Sequence, residues 1–190
     1  MKKFIGVLAL FVMLFAFSGP CFATGDSAVG DVDFGIHIGT GTSQQYSGDV
    51  NGIDVTFSKE RTNMAGVYLN FSGPDSCVEL QPELNYVRDK VNNSRFDYMQ
   101  MPVLIKMNSP EFRNGIKVFS GIGPYGSVLL SDDKDAIRRY DYGYILSAGV
   151  TVKDTISFEL RHSEGLMNVS SVDGLTARNS KNMILMGFNF

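Results

Sequence analysis

The feature that most restricts what this chain can fold into is a period-two alternation that puts charged and apolar side chains on opposite faces. From Cys77 to Tyr86, Val78, Leu80, Pro82, Leu84 and Tyr86 fall on one side, and Cys77, Glu79, Gln81, Glu83 and Asn85 on the other. Thr155 to His162 repeats the arrangement, with Ile156, Phe158 and Leu160 opposed to Ser157, Glu159 and Arg161. Tyr140 to Val152 sets Tyr140, Tyr142, Tyr144, Leu146, Ala148, Val150 and Val152 against Asp141, Gly143, Ile145, Ser147, Gly149 and Thr151. Successive side chains of a strand point to opposite faces, so each segment reads as a strand with one greasy and one polar side. Val32–Thr40, Met64–Ser72, Phe96–Met107, Ile116–Leu130 and Lys181–Phe190 are further strands, although Leu104 and Phe119 sit on nominally polar sides. The total is eight.

Composition agrees with strands over helices: 20 Gly, 14 Phe and 8 Tyr accompany only 19% charged residues. At 190 residues the chain suits a single folded domain. Its formal charge of −3 leaves no basic excess to neutralise a phosphate backbone, which excludes nucleic acid as a partner class.

Residues 1–23 read as an address rather than as part of the fold. Lys2 and Lys3 precede an unbroken apolar run, Phe4 to Phe17, and Ser18-Gly19-Pro20 ends it. Cys21-Phe22-Ala23 then offers small residues for cleavage before Thr24, the three-part pattern of a secretory signal peptide. The run falls short of the roughly 20 apolar residues of a spanning helix. The mature domain is therefore expected at 24–190, with Cys77 as its one cysteine and no intramolecular disulfide.

The connections differ in length: 41–63 and 163–180 are long, 73–76 and 108–115 are short, and Lys153-Asp154 is a tight turn. Long outer loops and short periplasmic turns are the plan of an outer-membrane barrel. Spanning strands of about 10 residues each fit easily within 24–190. The expected fold is all-β: an eight-stranded, antiparallel, up-and-down transmembrane β-barrel. Alternation by itself also fits a secreted or periplasmic lipocalin-like carrier with its apolar face turned inward. Three features favour the membrane. Gly35, Gly39, Gly66, Gly121, Gly123, Gly143 and Gly149 lie on the polar face, as on the crowded inside of a small barrel. Phe34, Phe71, Tyr86, Phe96, Tyr98, Tyr140, Tyr142, Phe188 and Phe190 gather near strand ends, as in interfacial girdles. The last strand ends on Ile184, Met186, Phe188 and Phe190 in alternation, which resembles the C-terminal assembly signal of bacterial outer-membrane barrels.

Four segments resemble strands of the PorT-like outer-membrane β-barrel family. They are VELQPELNYV (78–87), FDYMQMPVLIKM (96–107), FSGIGPYGSVLLS (119–131) and SFELRHSEGLMNV (157–169), in that order. The resemblance spans Val32 to Phe190. It implies a porin-like small barrel in the outer membrane of a Gram-negative-type bacterium, without enzymatic activity.

Residues that look chemical read mostly as structural. Gly121 to Gly126 formally satisfies GxGxxG, but Pro124 and the strand-like run after it deny the helix a dinucleotide site needs. Charges in mid-strand are costly in hydrocarbon, so Glu79, Glu83, Lys106, Lys117, Glu159 and Arg161 must point into the lumen. A paired network centred on Arg161 with Glu83 or Glu79 is expected there. His37 and His162 are too few for a metal site, and Asp132, Asp133 and Asp135 lack the Gly and Glu of a calcium loop. No metal or cofactor is expected, and Ser163 beside His162 is adjacency rather than catalytic geometry. Arg88, Lys90 and Arg95, with Arg138 and Arg139, are expected in outer loops, where they could meet lipopolysaccharide phosphates. Other expected partners are outer-membrane lipids and, through Phe188 and Phe190, the barrel-assembly machinery.

Overall fold

A computed structural model describes residues 31–47, 60–73, 77–91, 94–112, 114–132, 140–167 and 177–190. The expected leader at 1–23 lies outside these residues. Eight strands follow in chain order: β1 (Asp31–Ser47), β2 (Glu60–Ser72), β3 (Val78–Val91), β4 (Ser94–Asn108), β5 (Ile116–Asp132), β6 (Tyr140–Val152), β7 (Ile156–Gly165) and β8 (Ala177–Asn189). Each is antiparallel to the next, and β1 closes the barrel against β8, with Ile38 opposite Met186 and Thr40 opposite Ile184. Closure leaves no strand edge, so the ladder satisfies backbone groups that have no water to bond within a bilayer.

Local chemistry sets the hairpins. Lys153 and Asp154 both take positive φ, 52° and 54°, and Thr155 N–H donates to Val152 O at 3.2 Å, closing a two-residue turn. Such a turn matches the twist of the paired strands. Asn114 and Gly115 take φ of 73° at the β4–β5 connection, where Asn-Gly is the favoured pair. These turns lie at the end where β1 starts and β8 finishes. By the outer-membrane plan this is the periplasmic end.

The faces sort as the alternation predicts. Ile38, Leu160 and Ile184 are 66%, 58% and 62% exposed, whereas Asn85, Glu83 and Arg161 of the opposite face are 0%, 6% and 2% exposed. The apolar side therefore looks outward, which removes the inward-greasy lipocalin alternative. Leu104 and Phe119 point into the bore with the polar residues, at 0% and 1% exposure, and fill space there.

Two expectations change. Phe96 and Tyr98 do not join an outer aromatic girdle. Both are buried, and they pack inside with Met64, Val87, Met183 and Leu185. A register shift between Asp97 and Tyr98 accompanies this part of β4. Most strands also run further than the hydrophobic pattern suggests. The β3–β4 ladder continues to Val91 opposite Ser94, so Arg88, Lys90 and Arg95 are strand residues and not loop residues.

The outward face changes character at one level around much of the barrel. Beyond the apolar band come Thr40, Asn63, Arg88, Asp97, His162 and Asn182, bonded across strands. Thr40 Oγ1 donates to Asn63 Oδ1 at 3.0 Å, Arg88 Nε to Asp97 Oδ1 at 2.8 Å, and His162 Nδ1 lies 2.9 Å from Asn182 Oδ1. Strands thus leave the hydrocarbon and continue outward as a polar collar. In lipid, Ile38→Lys should cost about 2–4 kcal/mol in urea unfolding, and Thr40→Lys about 0–1 kcal/mol. Equal costs at the two positions would place the acyl chains elsewhere on β1.

Candidate functional site

The centre of the bore is spanned by one polar network. Glu83 on β3 and Arg161 on β7 lie 78 positions apart in sequence and meet across the lumen. Arg161 donates from Nη1 to Glu83 Oε2 at 2.7 Å and from Nη2 to Glu83 Oε1 at 2.8 Å. Both side chains are fully buried. The fork geometry of guanidinium and carboxylate makes this a strong charge-assisted pair with a fixed orientation. Arg161 Nε also donates to Glu159 Oε1 at 2.7 Å, two positions earlier on the same strand face.

Neighbours on β3 complete the shell around Glu83. Gln81 Nε2 donates to Glu83 Oε1, and Asn85 Nδ2 donates to Glu83 Oε2 at 2.8 Å. Strand alternation puts residues 81, 83 and 85 on one face, so the two amides reach the carboxylate from either side. Lys106 Nζ donates to Gln81 Oε1 at 2.8 Å and lies 3.9 Å above the Phe119 ring. His37 Nε2 lies 2.7 Å from Asn85 Oδ1. A side chain at Gly66 would drive its Cβ into Asn85 Oδ1 and to 2.7 Å from His37 Nε2, so glycine there leaves the network its room. Two carboxylates face one guanidinium and one ammonium, and the plug is neutral by formal charge. Neutrality matters because an unpaired charge held away from water is far costlier than a bonded one.

A second polar cluster occupies the outer half of the bore. Lys181 Nζ lies 2.7 Å from Asp89 Oδ2 and 4.9 Å from the centre of the Tyr98 ring. Tyr125 Oη donates to Asp141 Oδ2 at 3.3 Å, and Ser43 Oγ to Asn179 Oδ1 at 3.2 Å.

The expected charged residues divide by depth. Glu83, Glu159 and Arg161 touch, and Lys106 joins them through Gln81. Glu79 does not reach Arg161. It sits further toward the short-turn mouth, opposite Lys106 in register and only partly buried. Lys117 stands at that same rim, where its ammonium lies 2.8 Å from Asp154 Oδ1. The network is accordingly smaller than alternation alone implies, because same-face residues near strand ends are separated from the centre along the barrel axis. Arg88 is held by Asp97 and by the Tyr86 hydroxyl at 2.7 Å, on the outward face of β3. Lys90 and Arg95 are exposed near the tip of the same hairpin. Arg138 and Arg139 lie outside the described residues. Phe188 is outward on β8, and Phe190 stacks on Phe34 of β1 with ring centres 6.1 Å apart.

His37, Gln81, Asn85, Asp89, Asp141 and Lys181 were not anticipated as members of these clusters. Asp89 continues the inward parity of Glu83 and Asn85 by two further steps, which would have exposed it had β3 been extended past Tyr86. Ser163 is buried in the lumen while His162 points outward to Asn182, so neighbours in sequence occupy opposite faces. Among the described residues, no three His, Cys, Asp or Glu side chains converge as a metal set.

Comparison with known proteins bears on the fold. Residues 30–171 match a family described as the outer membrane protein beta-barrel domain. The chain is similar in structure to the outer membrane enzyme PagL, at 9% identity and a TM-score of 0.54, over 78% of this chain and 97% of that one. It is also similar to Neisserial surface protein A, at 11% identity and a TM-score of 0.48, over 83% and 97% of the two chains. OprG from Pseudomonas aeruginosa gives 15% identity and a TM-score of 0.45, over 83% and 95%. At these identities the likeness is one of fold. A comparison with curated protein sequences gives no match.

The plug makes a stability prediction. Arg161→Leu strands Glu83 and Glu159 in the bore and should cost about 3–5 kcal/mol in urea unfolding of the lipid-inserted barrel. Adding Glu83→Leu to that variant should recover part of the loss, because the stranded carboxylate is then removed as well. An unchanged unfolding midpoint for Arg161→Leu would show that the pair contributes nothing.

Proposed function

Since the chain belongs to the outer membrane protein beta-barrel domain family, and so resides in the outer membrane, we propose that it serves the envelope as a non-enzymatic barrel acting through its outer rim. The observation that carries this reading is the bidentate Arg161–Glu83 pair, which spans the bore with both partners fully buried. An eight-stranded barrel has an interior just wide enough to be filled by side chains. Here the filling among the described residues is charge-matched, which supports a reading with neither a solute path nor a substrate cleft at mid-lumen. Contacts with molecules on the outer side then fall to the collar and loops. PagL is named as an enzyme, so this fold is compatible with catalysis. What argues against it here is the division of Ser163 and His162 between opposite faces and the engagement of His37 with Asn85.

The finer assignment, to the PorT-like group of small barrels, rests on the four motifs quoted above and their order. For partners, the basic residues of the outer end suit the phosphates of lipopolysaccharide, which accept charge-assisted hydrogen bonds. Arg88 is the poorest candidate, because its guanidinium is taken up by Asp97 and Tyr86. Lys90 and Arg95 are exposed on the same hairpin, and with Arg138 and Arg139, which lie outside the described residues, they complete the proposed set. Phe188 and Phe190 at the close of β8 are the proposed docking signal for the barrel-assembly machinery.

Lipopolysaccharide retained by the detergent-purified barrel tests the rim. A variant combining Lys90→Ala, Arg138→Ala and Arg139→Ala should retain several-fold less at physiological salt, with heat-modifiable gel mobility unchanged. Retention equal to that of the native barrel would reject lipopolysaccharide as the rim's partner.

A further inference from the structure

A cavity of about 460 Å³ opens at the short-turn mouth, below the plug. Its charged lining is Asp33, Glu79, Glu111 and Asp154 against Lys106 and Lys117. Both ammonium groups are already engaged. Lys106 donates to Gln81 Oε1 and lies over the Phe119 ring, and Lys117 pairs with Asp154. Among the described residues, Asp33, Glu79 and Glu111 form no ion pair. Among the described residues, the mouth is therefore an anionic recess whose lining ammonium groups are already engaged.

A separate feature points to a ligand. Asn70 of β2 lines the same cavity, is 6% exposed, and has no hydrogen-bond partner for its Oδ1 among the described residues. A buried acceptor left without a donor is costly, and a ligand that donates to it removes that cost. Register places Asn70 opposite Asp33 of β1, and Ser72, two positions along β2, opposite Glu79 of β3. The acceptors thus lie on the inner wall of three adjacent strands. They ask for a donor-rich cation. A single metal ion is the wrong shape, because no three such ligands converge here. Spaced carboxylates with one buried carboxamide oxygen between them suit a ligand whose charges are also spaced. The volume falls within the range of small-molecule sites, roughly 300–1,000 Å³.

We propose that the short-turn mouth binds a small linear organic polycation of the oligoamine class. Its ammonium groups meet Asp33, Glu79 and Glu111, and one of its N–H groups satisfies Asn70 Oδ1. The site is separate from the outer rim, and its binding does not depend on what the rim contacts.

Calorimetric titration of the full-length folded barrel in detergent with spermidine, at physiological salt, tests this. Saturable binding of one spermidine per barrel is expected, undisturbed by Mg²⁺ at the same concentration. Asp33→Asn combined with Glu79→Gln should weaken it by about tenfold or more, and so should Asn70→Leu, which leaves the charge untouched. Asn70→Leu separates a built site from a merely acidic surface, since screening alone ignores a neutral side chain. The proposal is overturned if Asn70→Leu binds as the native barrel does, or if Mg²⁺ displaces spermidine at matched concentration. Should Asn70→Leu lose heat-modifiable mobility, Asp33→Asn alone decides: Asp33 is exposed at the rim, and unaltered binding by that variant overturns the proposal equally.

Discussion

A backbone N–H or C=O inside hydrocarbon has no water to bond, and this requirement governs the rest of the molecule. It forces every strand to find two partners, so the sheet closes with β1 on β8. Closure at eight strands makes the bore narrow enough for opposite walls to touch. The inward side chains must therefore fit one another as well as their own strand neighbours. Arg161 reaching Glu83 across the lumen is a direct result, since no open sheet would bring β7 to β3.

Charge inside so narrow a space has to be matched locally. The centre achieves this with Glu83 and Glu159 against Arg161 and Lys106, joined by Gln81 and Asn85. Further out, Lys181 takes up Asp89. Removing one member of such a set is costly because its partner stays buried, whereas exchanging both for apolar groups can be tolerated. The plug thus ties opposite strands together across the bore with a few bonds. Its position separates the two ends of the barrel: a polar collar at one, an anionic recess at the other.

Much of the architecture was legible because two faces in such different environments leave a two-residue period along each strand. Val78 to Tyr86 and Ile156 to Leu160 announced their orientation through neighbours of opposite character. Strand ends were harder. Past Tyr86 the outward residues become Arg88 and Lys90, so the greasy signal stops although the ladder runs on to Val91. Beyond the acyl chains an outward residue need not be apolar, and hydropathy no longer marks a strand. Phe96 and Tyr98 misled for the converse reason: near a strand end an aromatic fits either a girdle or the bore, and parity within β4 decides which.

By itself, the order of residues determined the number of strands, which side chains of each share a face, and that Glu83, Glu159 and Arg161 lie on the polar faces. These follow from local alternation, which neighbours along one chain define. Only the tertiary structure decided that the apolar faces look outward, that Arg161 takes Glu83 and leaves Glu79, that Lys117 goes to Asp154, and that, among the described residues, Asn70 lacks a donor beside unpaired carboxylates. Such pairings depend on register and on height along the barrel axis, quantities set by all eight strands closing together and carried by no single segment.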